Sequence, residues 1–344
     1  MPEALRDHTT LRVGGPARAW VRATTEQELV DTVAAADAGD GPVLVLGGGS
    51  NVLVADGEFP GTVVEVATTG IAADAGDDAT CGGVMVTVAA GEDWGRFVEH
   101  AVAEGWVGVE ALAGIPGRVG ATPIQNVGAY GQDVSQTIAS VRVWDRTLRG
   151  VRTFANADCR FGYRSSRFKA DPGRHVVLDV TFQLAQGDLG RPVGYAELAR
   201  TLGVEVGARV PAAEVSAAVL ELRRGKGMVL DADDHDTWSA GSFFTNPVVA
   251  PDDVPEGAPT YPADGGVKVS AAWLIEHAGF GKGFGAELTD GRASLSTKHT
   301  LALTNRGSAT AEDLLAVARE VRDGVERAYA IRLVNEPVLV GCEL

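Results

Sequence analysis

The first 66 residues alternate apolar runs with one amphipathic stretch. Thr25 and Glu28 have the spacing of a capping box, and apolar residues follow at helical spacing: Leu29, Val30, Val33 and Ala34. The segments PVLVLG (42–47) and GTVVEV (61–66) are short runs typical of strands. This order predicts a small α/β domain whose strands are buried on both faces.

From residue 68 the pattern changes to that of an α+β domain. Strands are predicted at 84–91, 138–145 and 175–184, and a helix is predicted around Trp94 to Val102. Between them, residues 108–133 have neither a helical nor a strand period. A loop of that length in a compact domain is usually functional.

The last third predicts helices at 212–224, 270–279 and 310–329, and a strand over 331–342 that returns to an earlier sheet. The helix at 310–329 begins at Thr310-x-x-Asp313 and has a clear apolar stripe: Leu314, Val317, Ala318, Val321 and Val325. We therefore predict three parts, which are residues 1–67, 68–225 and 226–330.

Composition excludes several classes of protein. The chain of 344 residues is 45% hydrophobic, which rules out general disorder. Its formal charge of −16 argues against binding to nucleic acid or to anionic lipid, since both need a basic surface. Glycine is unusually abundant, at 44 residues. An acidic protein with so many glycines can still bind anions through backbone N–H groups and a few cations.

Cysteine and histidine do not indicate a metal or disulfide framework. Cys81, Cys159 and Cys342 are widely spaced and form no C-x-x-C pair, so we expect small buried side chains. The histidines lack metal-ligand spacing. We find no apolar stretch long enough to span a membrane and no apolar signal core at the N-terminus. These features predict a cytoplasmic protein without a metal.

The first glycine-rich loop follows the strand at 42–47 directly. It reads Gly47, Gly48, Gly49, Ser50, Asn51. Three glycines let backbone N–H groups come within hydrogen-bonding distance of a diphosphate, and the hydroxyl and amide add polar contacts. The alternative is a tight turn between two strands.

The second glycine-rich loop, Gly114 to Gly131, contains five glycines and two prolines. Thr122 and Asn126 offer polar groups, and Tyr130 adds an aromatic ring. The alternative is an Ω-loop that packs on itself. Two such loops in one chain favour a single large ligand with two phosphates, and FAD fits better than a mononucleotide.

Three further segments carry candidate chemistry. CRFGYRSSRFK (159–169) has four cations; it is either a solvated turn or, because aromatic residues are interleaved, partly directed inward. In AGSFFTNP (240–247), Ser242 lies between glycine and two phenylalanines but lacks the G-x-S-x-G frame of a hydrolase, so it is either a loop serine or an exposed hydroxyl. Glu336, within LVNEPVLV, lies either on a solvated face or in a site.

Five segments, taken in order, resemble those of the UDP-N-acetylenolpyruvoylglucosamine reductases, flavoenzymes of peptidoglycan precursor synthesis. The segments are GGGSN, IPGRVGATPIQNVGAYG, CRFGYRSSRFK, AGSFFTNPV and the terminal NEP. The resemblance covers essentially the whole chain. It implies a vanillyl-alcohol-oxidase/PCMH-type FAD-binding fold of the α+β class, followed by a smaller substrate-binding domain. It also implies that the strand within 331–344 returns to join residues 1–67. It also implies FAD as cofactor, NADPH as reductant, UDP-N-acetylglucosamine enolpyruvate as substrate, and a monomer.

The resemblance also implies site residues. The catalytic set is Arg164, Ser242 and Glu336. The cofactor-binding set is Gly47, Gly48, Gly49, Ser50, Asn51, Ile115, Pro116, Gly117, Gly120, Thr122, Asn126, Gly128, Ala129 and Tyr130. The substrate-binding set is Tyr163, Tyr195, Lys226, Asn246 and Lys268.

Tyr195 matches the tyrosine loop of the type I enzymes, which closes over the nucleotide. Three segments depart from the type I pattern: GMVL after Lys226 (227–230), DADDHDTW (231–238) and LSTKHT (295–300). No nucleotide contact is therefore assigned to 295–300.

Two other functions remain open at this point. An alcohol or sugar oxidase of the same fold often attaches its flavin to a His or Cys near the first glycine loop, whereas this chain has Ser50 and Asn51 there. A nucleotide-binding protein that has lost its chemistry is the other alternative, and the presence of Arg164, Ser242 and Glu336 together argues against it.

Overall fold

The protein is described by a computed structural model that covers residues 3–74 and 83–344. The chain divides into two compact units. The larger unit comprises Arg18–Gly48 and Pro60–Arg224, and the smaller unit comprises Met1–Ala17, Gly49–Phe59 and Gly225–Leu344. The three-part division from the sequence remains a prediction beside this one.

Helices and strands are mixed along both units, which confirms the predicted α+β class. The α-helices of the described residues are α1 Glu26–Asp37, α2 Trp94–Ala103, α3 Thr122–Gln125, α4 Arg167–Ala170, α5 Ala196–Leu202, α6 Ala212–Gly225, α7 Ala271–His277 and α8 Ala311–Tyr329. The strands are β1 Ala17–Ala23, β2 Val43–Leu46, β3 Val52–Val54, β4 Phe59–Val66, β5 Ile71–Asp74, β6 Val84–Ala89, β7 Trp106–Val107, β8 Gly128–Ala129, β9 Gln132–Asp133, β10 Ile138–Asp145, β11 Gly150–Ala155, β12 His175–Gln186, β13 Val248–Val249, β14 Thr260–Ala263, β15 Gly266–Val269, β16 Ala293–Leu295, β17 Leu303–Asn305 and β18 Val338–Val340.

The larger unit contains two main sheets. One has the order β1-β4-β2, with β2 and β4 parallel, and the other has the order β11-β10-β12-β6-β5, with antiparallel pairs. Helix α2 covers the second sheet, because Trp94 and Phe97 from its apolar face pack against Phe182 of β12 at ring distances of 6.1 and 4.9 Å. Helix α2 begins after Asp93, whose side chain accepts the N–H of Arg96 at 3.0 Å, and its first turn borders the second glycine loop.

The smaller unit is built around α8. The predicted stripe is buried as expected, with Leu314, Val317 and Val321 at 0% exposure. Its core also contains Phe243 and Phe244. The tail predicted as a strand over 331–342 forms only the short strand β18, which pairs in parallel with β3 in the register Val338 to Val52.

The structure bears on membrane spans, metal-binding groups and cysteines. No helix in residues 3–74 and 83–344 is long and apolar enough to cross a membrane. In the same ranges no group of three or more His, Cys, Asp or Glu side chains could hold a metal ion. Cys159 is buried and Cys342 is half-buried, and both are free thiols. Cys81 lies outside the described residues.

Candidate active site

The two glycine-rich loops contact each other in the larger unit. Strand β2 ends at Leu46, and the next two residues lie against the second loop. A Cβ on Gly48 would lie 2.7 Å from Cα of Gly117, and a Cβ on Gly47 would lie 3.6 Å from Cβ of Arg118. Only glycine permits this approach at position 48. The result is a surface of main-chain groups, which suits the diphosphate of a dinucleotide.

The second glycine loop is ordered by main-chain hydrogen bonds. The N–H of Trp94, at the start of α2, donates to Gly117 at 3.1 Å, and the N–H of Gly120 donates to Ala90 at 2.8 Å. The loop then forms α3 and the hairpin β8–β9, whose turn consists of Tyr130 and Gly131 with φ of +50° and +86°. These hydrogen bonds hold the second glycine loop in a defined conformation. Ile115 and Pro116 are half-buried within it, and Ala129 packs against the core.

Two polar side chains of this loop bond within the protein. The Thr122 hydroxyl donates to the Val119 carbonyl at 2.8 Å. The Asn126 amide donates to the Gly162 carbonyl at 3.1 Å and accepts the Ser135 N–H at 3.1 Å. Asn126 thus links the second glycine loop to the basic segment at 159–169. Their assignment as cofactor ligands remains a prediction.

Arg164 is attached to the same loop. It has φ of +49°, and its guanidinium donates to the carbonyl of Gly128 at 3.0 Å and to that of Asn126 at 3.5 Å. The guanidinium also lies 5.4 Å from the Tyr163 ring. Lys169 donates to the Arg164 carbonyl at 3.0 Å. The basic segment is therefore partly directed inward, and Arg164 has a defined geometry beside the hairpin β8–β9.

A second contact joins this hairpin to the segment before α5. The rings of Tyr130 and Tyr195 meet edge-on at 5.7 Å. Burial raises the pKa of Tyr130 to about 12, although the positive charge of Arg223 opposes the shift. The two tyrosines predicted to contact cofactor and substrate are thus neighbours.

Arg223 is a residue that the sequence analysis missed. Its side chain is buried in the larger unit, and burial lowers its pKa to about 10. The pattern contained a signal, because Val215, Val219 and Arg223 are spaced by four residues and lie on one face of α6. An arginine on an apolar helical face is rarely buried unless its charge is paired.

In the smaller unit, Ser242 and Glu336 lie on adjacent backbone segments. The N–H of Phe243 donates to the carbonyl of Leu301 at 2.7 Å, and the N–H of Glu336 donates to the carbonyl of Phe243 at 2.8 Å. Ser242 forms a bridge with Ala302. Ser242 and Glu336, which are 94 positions apart in sequence, are held on neighbouring segments because the backbone of Phe243 forms hydrogen bonds with Leu301 and with Glu336.

The end of the first glycine loop meets the same segment. Asn51 donates from its amide to the carbonyl of Glu336 at 3.4 Å, and its own carbonyl accepts the Val338 N–H at 2.9 Å. The Gly49 carbonyl accepts the Thr10 N–H at 3.1 Å. Ser50, which lies between Gly49 and Asn51 in the sequence, is half-buried. Parallel pairing of β3 with β18 thus brings GGGSN and NEP together.

The remaining predicted substrate residues are also in this unit, except Tyr163 and Tyr195. The Asn246 side-chain oxygen accepts the Ala271 N–H at 2.8 Å, at the start of α7. The Lys268 ammonium lies 5.7 Å from the Tyr261 ring. Lys226 is half-buried directly after α6.

Two of the segments that depart from the type I pattern, 231–238 and 295–300, contact each other. Asp236 accepts the N–H of Thr297 at 2.9 Å and a guanidinium N–H of Arg306 at 2.7 Å. Lys298 pairs with Asp234 at 2.5 Å. The 231–238 insert is therefore bonded to the 295–300 loop.

The α+β fold with its glycine cradle, taken together with a family model for an FAD-binding domain, defines an FAD-binding protein. A family model described as "FAD binding domain" matches residues 17–150, and a model described as "UDP-N-acetylenolpyruvoylglucosamine reductase, C-terminal domain" matches residues 233–340. The chain belongs to the UDP-N-acetylenolpyruvoylglucosamine reductase family, as the following similarities to individual proteins establish.

The chain is similar over nearly its whole length to curated proteins of that name. It is 60% identical to the UDP-N-acetylenolpyruvoylglucosamine reductase of Cutibacterium acnes, over 98% of this chain and 89% of that one. It is 54% identical to the Thermobifida fusca protein of the same name, over 99% and 97%. The crystal structure of the Thermus caldophilus enzyme aligns with a TM-score of 0.66 at 26% identity, covering 98% of this chain and 97% of that chain.

Membership of this family makes the chain a flavoprotein oxidoreductase of peptidoglycan precursor synthesis. The resemblance stated from the sequence motifs is confirmed, and so is the assignment as an enzyme. The oxidase interpretation is disfavoured, because the relatives that share the whole chain are reductases.

Proposed function

We propose that the chain reduces UDP-N-acetylglucosamine enolpyruvate to UDP-N-acetylmuramate with NADPH as reductant, and that Arg164, Ser242 and Glu336 carry the chemistry. The observation that best supports these roles is the hydrogen-bonded segment at Phe243, which holds Ser242 beside the residue-336 segment. A catalytic acid and its partner need this kind of fixed backbone support.

The chain fits FAD. The close approach of Gly48 to Gly117 leaves main-chain groups as the lining of the glycine cradle, and such groups suit a diphosphate in a protein of net charge −16. When bound, the flavin would accept electrons from NADPH and supply hydride to the terminal carbon of the enolpyruvyl ether. The predicted cofactor contacts are those of the two glycine loops.

Arg164 would stabilise the charge that develops on the substrate. Hydride addition leaves negative charge on the carbon next to the new C–H bond and on its carboxylate. A guanidinium stays protonated throughout, and in a partly buried position its charge acts more strongly than in water. Arg164 is oriented by the carbonyls of Gly128 and Asn126, so its direction is set before the substrate binds.

Ser242 would donate the proton that completes the reaction. Its hydroxyl is a weak acid, so a nearby cation must stabilise the alkoxide, and we assign Lys268 to this role. Glu336 would hold the enolate through a hydrogen bond, which requires a protonated carboxyl or a donor that bridges the two oxygens. Tyr163, Tyr195, Lys226 and Asn246 would bind the substrate, with Lys226 on the diphosphate and Tyr195 over the nucleotide.

Ser242→Ala tests this proposal. We expect reduction of the flavin by NADPH to stay within about twofold, while oxidation of the reduced flavin by the enolpyruvyl substrate slows by about 100-fold or more, since one general acid is lost. Rapid-mixing absorbance measures both half-reactions separately. Ser242→Cys keeps a proton donor in the same position and should recover part of the second rate.

Equal rates of the second half-reaction in Ser242→Ala and in the unchanged enzyme would remove Ser242 from the mechanism.

We further infer that the enzyme acts as a monomer in the cytoplasm, where UDP-sugars and NADPH are found. Sedimentation equilibrium of the holoenzyme gives the mass directly, and a dimer mass would contradict the monomer.

A further inference from the structure

Glu110 is a buried carboxylate that no part of the proposed mechanism uses. Its side chain is 0% exposed. One carboxylate oxygen, Oε1, accepts the Gln132 side-chain amide at 2.9 Å and the Arg191 main-chain N–H at 2.6 Å. The other oxygen, Oε2, accepts the Gly108 N–H at 2.6 Å. Gln132 in turn accepts the Ala111 N–H at 3.0 Å through its own oxygen.

The two groups on Oε1 belong to different arms of the larger unit. Gln132 lies in β9, two residues after Tyr130, and Arg191 lies four residues before Tyr195. The arms meet again where the Tyr130 and Tyr195 rings contact at 5.7 Å. Between these two meeting points Val193 is bonded to residues 207 and 208 through both its N–H and its carbonyl, so the segment is anchored beside the contact.

We propose that Glu110 is a positioning residue that fixes the Tyr195 segment against the hairpin β8–β9, and thereby sets where Tyr195 meets the UDP portion of the substrate. This inference rests on the proposed role of Tyr195. Glu110 acts through Arg191 and Gln132 and does not itself touch the reacting atoms.

A carboxylate suits this position because it only accepts hydrogen bonds. Three N–H groups converge on Glu110, and its two side-chain oxygens accept all of them. A glutamine in its place would turn an NH₂ group towards one of these donors. The loss of an acceptor in a buried site leaves a donor without a hydrogen bond. The segment that carries this donor is then held less tightly.

Two variants separate positioning from general stability. In Glu110→Gln, the amide oxygen can still face Gln132 and Arg191, and only Gly108 loses its acceptor. In the double variant Glu110→Gln with Gln132→Glu, the amide nitrogen must face the new carboxylate at 132. Arg191 then loses its acceptor, although the two side chains contain the same atoms as before. The double variant therefore releases the Tyr195 arm selectively.

The double variant should raise KM for the UDP-enolpyruvyl substrate about tenfold, with kcat and flavin reduction by NADPH changed less than about twofold, because the loss is in substrate binding. Amide hydrogen exchange in residues 190–195 should become about tenfold faster. Glu110→Gln should stay close to the unchanged enzyme in both measurements. Asp145→Asn is the stability control, since Asp145 is also a buried carboxylate of the larger unit that accepts main-chain N–H groups.

A double variant that matches Glu110→Gln in both KM and exchange overturns the proposal, and so does an equal rise of KM in Asp145→Asn. If the double variant does not fold, Gly190→Ala replaces it, because its Cβ would lie 3.1 Å from Oε1 of Glu110 and disturb the same contact. Rapid exchange of the Arg191 amide in the unchanged enzyme would also overturn it. If Tyr195→Phe and Tyr195→Ala leave KM unchanged, the proposed role of Tyr195 fails, while the exchange data still decide whether Glu110 holds the arm.

Discussion

At the scale of single residues, glycine at position 48 decides whether the two glycine loops can meet. A Cβ there would lie 2.7 Å from the backbone of Gly117, a distance that real Cβ atoms essentially never show. The neighbour is main chain that cannot rotate away, so the loops would have to separate. The main-chain groups proposed to receive the FAD diphosphate would then be misplaced.

We therefore expect Gly48→Ala to weaken FAD binding by at least about tenfold, equivalent to roughly 1.4 kcal/mol. Flavin absorbance retained after gel filtration, followed by FAD titration of the apoprotein, measures the effect. Gly57→Ala is the matched control, since a Cβ at Gly57 has no atom within 4 Å. Equal FAD affinity in the two variants would contradict the role of Gly48.

The sequence predicted these glycines more easily than it predicted the polar residues around them. The run GGG after a strand indicates close backbone approach whatever its partner is. Asn126 has no such signal, because its side-chain partners, Gly162 and Ser135, lie 36 and 9 residues away. A hydrogen bond between distant segments leaves no local spacing to detect, and the same is true of Glu110 and Arg191.

At the scale of elements, α8 shows both what periodicity can predict and what it cannot. The capping box of Thr310 and Asp313 and the buried stripe are as expected. Gly324, however, looks from the sequence like a weak point in the helix. In the structure it makes room for the Phe280 ring, whose Cζ would lie 2.1 Å from a Cβ at this position. At α1 the predicted cap is present, because the Thr25 side chain accepts the N–H of Glu28 at 3.2 Å, and the Glu28 carboxylate also accepts the N–H of Thr24 at 2.8 Å.

Gly324→Ala should therefore destabilise the enzyme, although alanine in a helix is normally favoured over glycine by about 1 kcal/mol. We expect a loss of about 1–3 kcal/mol, typical of overpacking. Urea unfolding gives the free energy of unfolding. Adding Phe280→Leu to Gly324→Ala should restore stability, whereas Phe280→Leu alone should lower the free energy of unfolding. A stabilising effect of Gly324→Ala alone would show that the ring adapts without strain.

At the scale of the whole molecule, each unit has its own hydrophobic core. The smaller unit is assembled from three separate stretches of chain, because β18 pairs with β3. Hydrophobic patterning predicts each strand but not its partner, since short apolar strands such as β3 and β18 could join several sheets. The family resemblance supplied the expectation that the C-terminal segment returns to the start of the chain.

The larger unit also contains a pH-dependent element. Burial lowers the pKa of His175 below its ordinary 6.5, its Nδ1 is buried with no hydrogen-bond partner within residues 3–74 and 83–344, and its ring packs against Phe154 and Phe168. A lowered folded pKa means that the unfolded chain binds the proton more tightly, so stability is full above 6.5 and falls as the pH drops below it. Asp145 acts in a lower window, because its hydrogen bond with Arg174 lowers its pKa from 3.8 to about 2.

We therefore expect the free energy of unfolding to fall between about pH 7 and about pH 5, and to fall less in His175→Leu, which cannot take up the proton. Four of the six tryptophans, Trp20, Trp94, Trp106 and Trp144, belong to the larger unit, so tryptophan fluorescence during urea unfolding reports mainly on that unit. His100→Gln, which removes an exposed histidine of α2, is the control and should keep the pH dependence of the unchanged enzyme. If His175→Leu kept it too, the acid sensitivity in this range would have to come from groups other than the buried imidazole.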